Sequence, residues 1–138
     1  MGKGRVQYGA LPWRMDGGAL RILLITTRTT RRWIIPKGWP MEDRAPHEAA
    51  AQEAWEEAGV RGQAGEASVG AFHYDKIKKS GAAKAVRVDV FALAVNEELP
   101  DWPEAHERQR RWFSPAEAAD AVVEPELSAL IAGWSPAV

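Results

Sequence analysis

The sequence has no cysteine, which excludes disulfides, zinc–thiolate centres and a thiol nucleophile. It has no apolar run approaching the roughly 18 residues that a membrane-spanning helix needs, so no span is expected. Met1 to Ala10 lacks the apolar core of a signal peptide, and a cytoplasmic address is the resulting expectation. No internal repeat and no low-complexity linker interrupts the 138 residues, so residues 1–138 are read as one domain. Charge of one sign is not in excess either. The formal net charge is -1, so the chain as a whole is not a general binder of polyanions.

What is present is patterned. The composition, 46% hydrophobic and 27% charged, is that of an ordinary globular protein. The seven tryptophans suit core and rim packing and name no function. Charge is segregated along the chain. Residues 1–41 carry eight Lys and Arg against one acid, Asp16, and residues 76–87 carry five basic residues and no acid. Between them, residues 42–75 hold eight acids and two basic residues. Solvated faces would account for any one of these blocks. An acidic block flanked by basic ones also suits a metal site that handles phosphate.

Turn and breaker residues divide the chain into elements. Arg5 to Met15 reads as a strand broken at Gly9 to Pro12, and Asp16-Gly17-Gly18 as a turn. Ala19 to Thr27 reads as a buried strand, Arg28 to Arg32 as a basic loop, and Trp33 to Ile35 as a short strand stopped by Pro36. Lys37-Gly38-Trp39-Pro40 opens a loop that runs through Arg44. A helix follows from Pro46 to Ala58, with Ala45 a poor N-cap and Gly59 a natural stop. Val69 to Tyr74 and Ala85 to Val95 are read as strands joined by a basic hairpin, and Asn96 to Arg110 as a polar loop. Arg111 to Phe113 is a short strand. Ser114, Pro115 and Glu117 form a capping box that opens a helix, and a last helix spans about Pro125 to Gly133. The order implies a mixed α/β fold, a sheet covered by helices.

The helix at 46–58 carries the chemistry. On a wheel, Ala51, Ala54, Trp55 and Ala58 share one face, and Glu53, Glu56 and Glu57 share the opposite one. Two readings stand open on these residues alone. One is an amphipathic helix with a wet acidic face. The other is a cation site. Three like charges on one turn repel by roughly a few tenths of a kcal/mol per pair. They also sit where the helix dipole disfavours negative charge. A hard divalent cation offsets both, since magnesium and manganese take oxygen ligands.

The context extends beyond the helix. Gly38-Trp39-Pro40-Met41-Glu42-Asp43-Arg44, continued by Gln52-Glu53-Ala54-Trp55-Glu56-Glu57-Ala58-Gly59-Val60, resembles the signature box of the Nudix family. That box is a glycine, five residues, a glutamate, seven residues, then Arg-Glu-apolar-x-Glu-Glu-x-Gly-apolar. Gly38, Glu53, Glu56, Glu57, Gly59 and Val60 match it over 23 residues. The early glutamate is Arg44 here, the arginine is Gln52, and Ala54 is small for an apolar position. In the family the early glutamate and the arginine support each other. With both replaced, a different but coherent scaffold is expected.

The resemblance implies an α/β/α sandwich with a mixed sheet between helices. It implies an enzyme that cleaves phosphoanhydride bonds with Mg2+, or alternatively Mn2+, held by Glu53, Glu56 and Glu57 and assisted by backbone at Gly38. The general base would be Glu53 or a loop acid, Glu104 or Glu107, with His73 and His106 as further options. RWIIPKGWPM and HEAAAQEAWEEAGV are similar to the diphosphoinositol polyphosphate phosphohydrolase branch, which includes enzymes acting on diadenosine polyphosphates. The expected substrate is therefore a phosphorylated small molecule, favoured as a dinucleoside polyphosphate or a diphosphoinositol polyphosphate. Arg28, Arg31, Arg32, Lys37, Lys76, Lys78, Lys79 and Arg87 are the candidate phosphate-binding residues, with Lys84 beside them. The alternatives are a nucleotide-sugar or nucleoside-triphosphate pyrophosphatase and a ligand sensor of the same fold without catalysis. The intact Glu53–Glu56–Glu57 set argues against the sensor. Nucleic acid is not the expected partner, given the near-zero net charge and no added RNA-binding domain. A monomer or a homodimer is expected.

Overall fold

Asp16-Gly17-Gly18 turns the chain back on itself and pairs β1 (Val6–Asp16) with β2 (Ala19–Thr26) in the computed structural model, which describes residues 5–137. Residues 1–4, including Lys3 and the start of the segment read for a signal peptide, lie outside the described residues, as does Val138. The remaining elements are β3 (Trp33–Ile34), β4 (Lys37–Gly38), α1 (Pro46–Ala58), β5 (Val60–Ala64), β6 (Gly70–Ile77), β7 (Ala83–Glu98), β8 (Arg110–Phe113), α2 (Pro115–Ala121) and α3 (Pro125–Gly133).

The eight strands among the described residues join one sheet. Its spine runs β3-β2-β1-β7-β5, with β4 added to β1, β6 to β7 and β8 to β2. β1 and β7 run parallel and the other pairs antiparallel, so the sheet is mixed. Ile22 to Thr26 are buried without interruption, which requires cover on both faces of the sheet. Helix α1 packs on β1, β4 and β5, while α2 and α3 pack on each other and on β2 and β6. The result is the expected α/β/α sandwich. Among the described residues no helix is long and apolar enough to cross a membrane.

Several expected boundaries move. The first strand is continuous through Gly9 to Pro12. Its neighbour on one side changes there from β4 to β2, so Pro12 sits between two ladders. Lys37-Gly38, read as loop, is a two-residue strand held by Tyr8 and Gly9. β5 was not expected at all. Arg61-Gly62-Gln63 has no apolar alternation, and β7, extended to Glu98, supplies the pairing.

The helix wheel also needs correcting. α1 buries Ala49, Ala50, Ala54, Glu57 and Ala58, whereas Ala51 and Trp55 stay partly exposed. Alanines allow the helix to approach the sheet closely, and the closest approach carries Glu57 inward. The Trp55 ring is covered instead by the Arg61 guanidinium, 4.2 Å from the ring centroid.

Candidate active site

The C-terminal end of α1 is tied from several directions. Gly59 takes a left-handed backbone, φ 69°, and its N–H donates to Trp55 O at 3.1 Å. A Cβ there would meet Arg110 Nη1 at 2.6 Å and the Trp102 ring at 2.7 Å, so glycine is required twice over. Beyond it, the chain returning from β7 satisfies the helix's orphan carbonyls. Glu104 N–H donates to Glu56 O (3.0 Å), Trp102 Nε1 to Glu57 O (3.0 Å), Arg110 Nη1 to Ala58 O (3.0 Å) and Leu99 N–H to Gly59 O (2.9 Å). A guanidinium and an indole N–H thus face the negative end of the helix dipole, which makes an acidic last turn tolerable.

Strand β4 lies against the same turn. Lys37 N–H donates to Glu57 Oε1 at 3.3 Å. Gly38 is packed so closely on Glu53 that an added Cβ would collide with the Glu53 carboxylate. Glu57 is 8% exposed. Its pKa is pushed up to about 8, first by burial, then by Glu53, and is held down in part by Arg108 at 3.7 Å. Glu53 is also raised, chiefly by burial, while its hydrogen bond with Glu57 works the other way. Burial disfavours the charged form of both carboxyls, and Glu53 adds to the cost of ionising Glu57. Lys37 completes the group. Burial lowers its ammonium to about 8 against the pull of Glu57, and its Nζ donates to Tyr74 Oη at 3.2 Å. Tyr74 in turn donates to Gln7 Oε1 at 2.8 Å.

These donors fit a hard divalent cation. They are carboxylate oxygens, they are crowded against a glycine backbone, and a bound cation would offset the cost of their burial in the charged form. As the side chains stand, no three acidic or histidine side chains converge among the described residues. The third expected ligand, Glu56, is turned to Gln52, whose Nε2 donates to its Oε2 at 2.8 Å. Glu56 joins the pair only by leaving Gln52.

Glu53 and Glu57 open into a cavity of about 270 Å³ lined also by Arg28, Lys37, Gly38, Trp39, Tyr74, Lys76 and Arg108. Three of the expected cations, Arg28, Lys37 and Lys76, therefore meet the carboxylates. Five others do not line it. Arg32 is held by Glu124 at 3.2 Å, and Arg31 lies by Trp33 and Gln109. Lys78 and Lys79 are exposed beyond the end of β6. Arg87 pairs with Asp89 and stands opposite His73, one residue out of phase with Tyr74 and Lys76 and so on the other face of the sheet. The Lys84 ammonium lies 5.4 Å from the Trp39 ring centroid. Glu104 and Glu107 sit at the rim, on Arg108 (2.7 Å) and Arg28 (3.1 Å) respectively. His73 is bonded to Glu126, and His106 is exposed.

Arg108, Tyr74, Gln7 and Trp39 were not singled out from the sequence. Arg108 had one local signal, the four-residue spacing from Glu104. Its other contacts, Glu57 and Thr26 O at 3.1 Å, are long-range. Arg44 and Gln52, where the box departs from its pattern, border a separate depression of about 390 Å³ with Asp43, Trp55 and Arg61. It holds none of the expected metal ligands, and its two arginines, Arg44 and Arg61, are not among the expected phosphate-binding residues.

A model of the NUDIX domain matches residues 3–132. Nudix hydrolase 16, mitochondrial, of Arabidopsis thaliana is 33% identical over 147 residues, covering 94% of this chain and 79% of the relative. Diphosphoinositol polyphosphate phosphohydrolase 3-alpha of Mus musculus is 35% identical over 99 residues, covering 70% of this chain and 56% of the relative. A solved C. elegans Ap4A hydrolase binary complex shares the fold, with a TM-score of 0.64 at 22% identity over 92% of each chain. The chain spans about half to four fifths of the length of the relatives it matches. Nudix hydrolases generally depend on a divalent metal and act on phosphorylated small molecules. Motif, fold and relatives agree, and the chain belongs to the Nudix family of hydrolases.

Proposed function

We propose that this chain is a Mg2+-dependent hydrolase of phosphoanhydride bonds, with Mn2+ as the alternative cation, acting on a dinucleoside polyphosphate or a diphosphoinositol polyphosphate. The observation that carries the reading is one cavity lined by the carboxylates of Glu53 and Glu57 together with Lys37, Arg28, Lys76 and Arg108. The relative from Mus musculus, named for diphosphoinositol polyphosphates, supports the substrate class.

Glu53 and Glu57, joined by Glu56 on its release from Gln52 and by backbone at Gly38, would hold the cation. When bound, it supplies positive charge to the anhydride oxygens and makes water a better nucleophile. Lys37 and Arg108 place two cations next to the carboxylates, where they orient the phosphate chain and neutralise its charge. Arg28 and Lys76 extend that positive wall. The Glu53 carboxylate, which faces the same cavity, would take the proton of the attacking water. Glu104 acts on this pair by its charge, while Glu107 is engaged with Arg28.

The test is phosphate or pyrophosphate release with and without Mg2+ from diadenosine polyphosphates, inositol pyrophosphates, nucleotide sugars and nucleoside triphosphates. Metal-dependent turnover of either of the first two classes is the expected result. Turnover of the last two alone would move the chain to the pyrophosphatase reading. Mg2+ binding without any turnover would favour a sensor. The single domain, the cytoplasmic address and a monomeric or homodimeric state belong to this proposal, and are read by limited proteolysis, fractionation and size-exclusion chromatography.

A further inference from the structure

One buried carboxylate has no part in holding the cation. Glu124 precedes α3 but makes no side-chain cap on it, and it is 8% exposed. Its Oε2 accepts from Arg32 Nη1 at 3.2 Å. Its Oε1 is buried and has no hydrogen-bond partner among the described residues. Leaving a carboxylate oxygen in that state is costly, so the arrangement needs a reason.

The reason lies in what Arg32 would otherwise do. Arg32 lines a second cavity of about 370 Å³ together with Arg28, Lys37, Lys76 and Arg108. The last four also line the cavity of the carboxylate pair, so the two form one cleft. Three guanidiniums in this cleft carry an acidic partner from outside it, Arg108 on Glu104 (2.7 Å), Arg28 on Glu107 and Arg32 on Glu124, and the surroundings of the last two differ. The Arg28–Glu107 pair is exposed at both ends, 59% and 48%. Such a pair is weak and exchanges readily with water. Glu124 has 9% of its side chain exposed, so releasing Arg32 would strand a buried charge. Arg28 is free to turn to a phosphate, and Arg32 is tied.

We propose that Glu124 is a specificity-determining residue, which keeps the Arg32 guanidinium at the cleft's edge from turning to a phosphate and so limits the number of phosphates that the cleft accepts. This rests on the reading of the cleft as a polyphosphate site. Glu124 does not touch the reacting atoms. It acts through Arg32, and its charge also reaches Lys37 and Tyr74.

The experiment is calorimetric titration of the full chain in Mg2+ with pyrophosphate and with tripolyphosphate. Glu124→Gln should tighten tripolyphosphate binding about tenfold, the effect of one added charge-assisted contact, and leave pyrophosphate within about twofold. Arg32→Gln alone should change tripolyphosphate binding by less than about twofold, whereas in the Glu124→Gln background it should erase the gain. Glu124→Met, which offers Arg32 no acceptor, should reproduce the gain. If wild type binds and neither Glu124 variant binds more tightly, the proposal is overturned and the polyphosphate site stands. If Arg32→Gln weakens wild-type binding as much as Arg28→Gln does, Arg32 is a direct ligand and the proposal also fails. If neither wild type nor the variants bind either probe, both readings fall. Should the Glu124 variants not fold, the Arg32→Gln comparison, made on an exposed loop, still decides.

Discussion

The two ends of α1 are built differently. At the C-terminal end, the carbonyls of Trp55 through Gly59 all have partners, most of them supplied by Leu99, Trp102, Glu104 and Arg110 from far along the chain. At the N-terminal end, Ala45 offers no side-chain cap, and only Glu48 reaches back, its Oε1 accepting from Ala45 N–H at 2.8 Å. Beyond it, Arg44 and Gln52 face an open depression. The end that bears Glu53 and Glu57 is fixed by the whole fold, while the other is fixed by its neighbours in sequence. That division explains how the box tolerates Arg44 and Gln52. The contacts that hold Glu53 and Glu57 come from elsewhere than positions 44 and 52, whereas Glu56 is bonded to Gln52.

The largest effect should come from Glu57. Glu57→Gln is expected to lower turnover by roughly two orders of magnitude or more, in line with the several kcal/mol that metal-held charge supplies. Folding should be unharmed, because the substitution is nearly isosteric and burial already disfavours the charged form of Glu57. Wild-type-like kcat would remove Glu57 from the chemistry and leave the tied end of the helix purely structural.

Arg110 comes next. Its Nη1 donates to Ala58 O and Gly59 O and its Nη2 to Leu99 O at 2.6 Å. Arg110→Ala should cost about 2–3 kcal/mol in urea denaturation, as expected for stranding several partly buried carbonyls. A loss below about 0.5 kcal/mol, the usual size of a surface substitution, would mean that the C-terminal end is no better fixed than the other.

A smaller, pH-dependent effect follows from the same burial. Glu57 ordinarily titrates at 4.5 and is raised to about 8 in the fold. A raised carboxyl favours the folded state fully below its unfolded value, and that advantage is lost as pH rises through the folded value. Without metal, thermal stability should therefore fall from about pH 4.5 to about pH 8 relative to Glu57→Gln, which lacks the group. Lys37, lowered from 10.5 to about 8, disfavours the fold while charged and gives relief only above that window. Saturating Mg2+ should recover stability at the alkaline end. Parallel pH curves for the two proteins would show that Glu57 is not desolvated.

How far the sequence revealed these features follows the same division. The helix 46–58, its Gly59 stop and the Ser114–Glu117 capping box are local, and the pattern located them. The box spacing brought Gly38 to Glu53 correctly. Glu57 looked exposed because a wheel knows only the helix, and the sheet decides which face is covered. β5 was invisible because β7 makes it a strand. Lys78, Lys79 and Arg87 looked like neighbours of Lys76 in sequence, but strand parity and the exposed turn separate them from it. Arg108 and Arg110 sat in a segment read as polar loop, and the partners that tie them to the end of α1, Glu57, Ala58 and Gly59, lie about 50 residues away.

The smallest expected effect tests the free end directly. Glu48 makes half of a capping box, since Ala45 has no oxygen to complete it. Glu48→Ala should cost about 0.5–1 kcal/mol, the lower part of the range for a lost cap. Glu48→Gln keeps the acceptor and should cost less. Turnover should be unchanged in both, because Glu53 and Glu57 are held from the other end by Lys37 N–H, Gly38 and the loop from β7. A fall in kcat in Glu48→Ala without a matching loss of stability would show that the N-terminal turn transmits strain to the carboxylates. The replaced pair at Arg44 and Gln52 would then matter to catalysis after all.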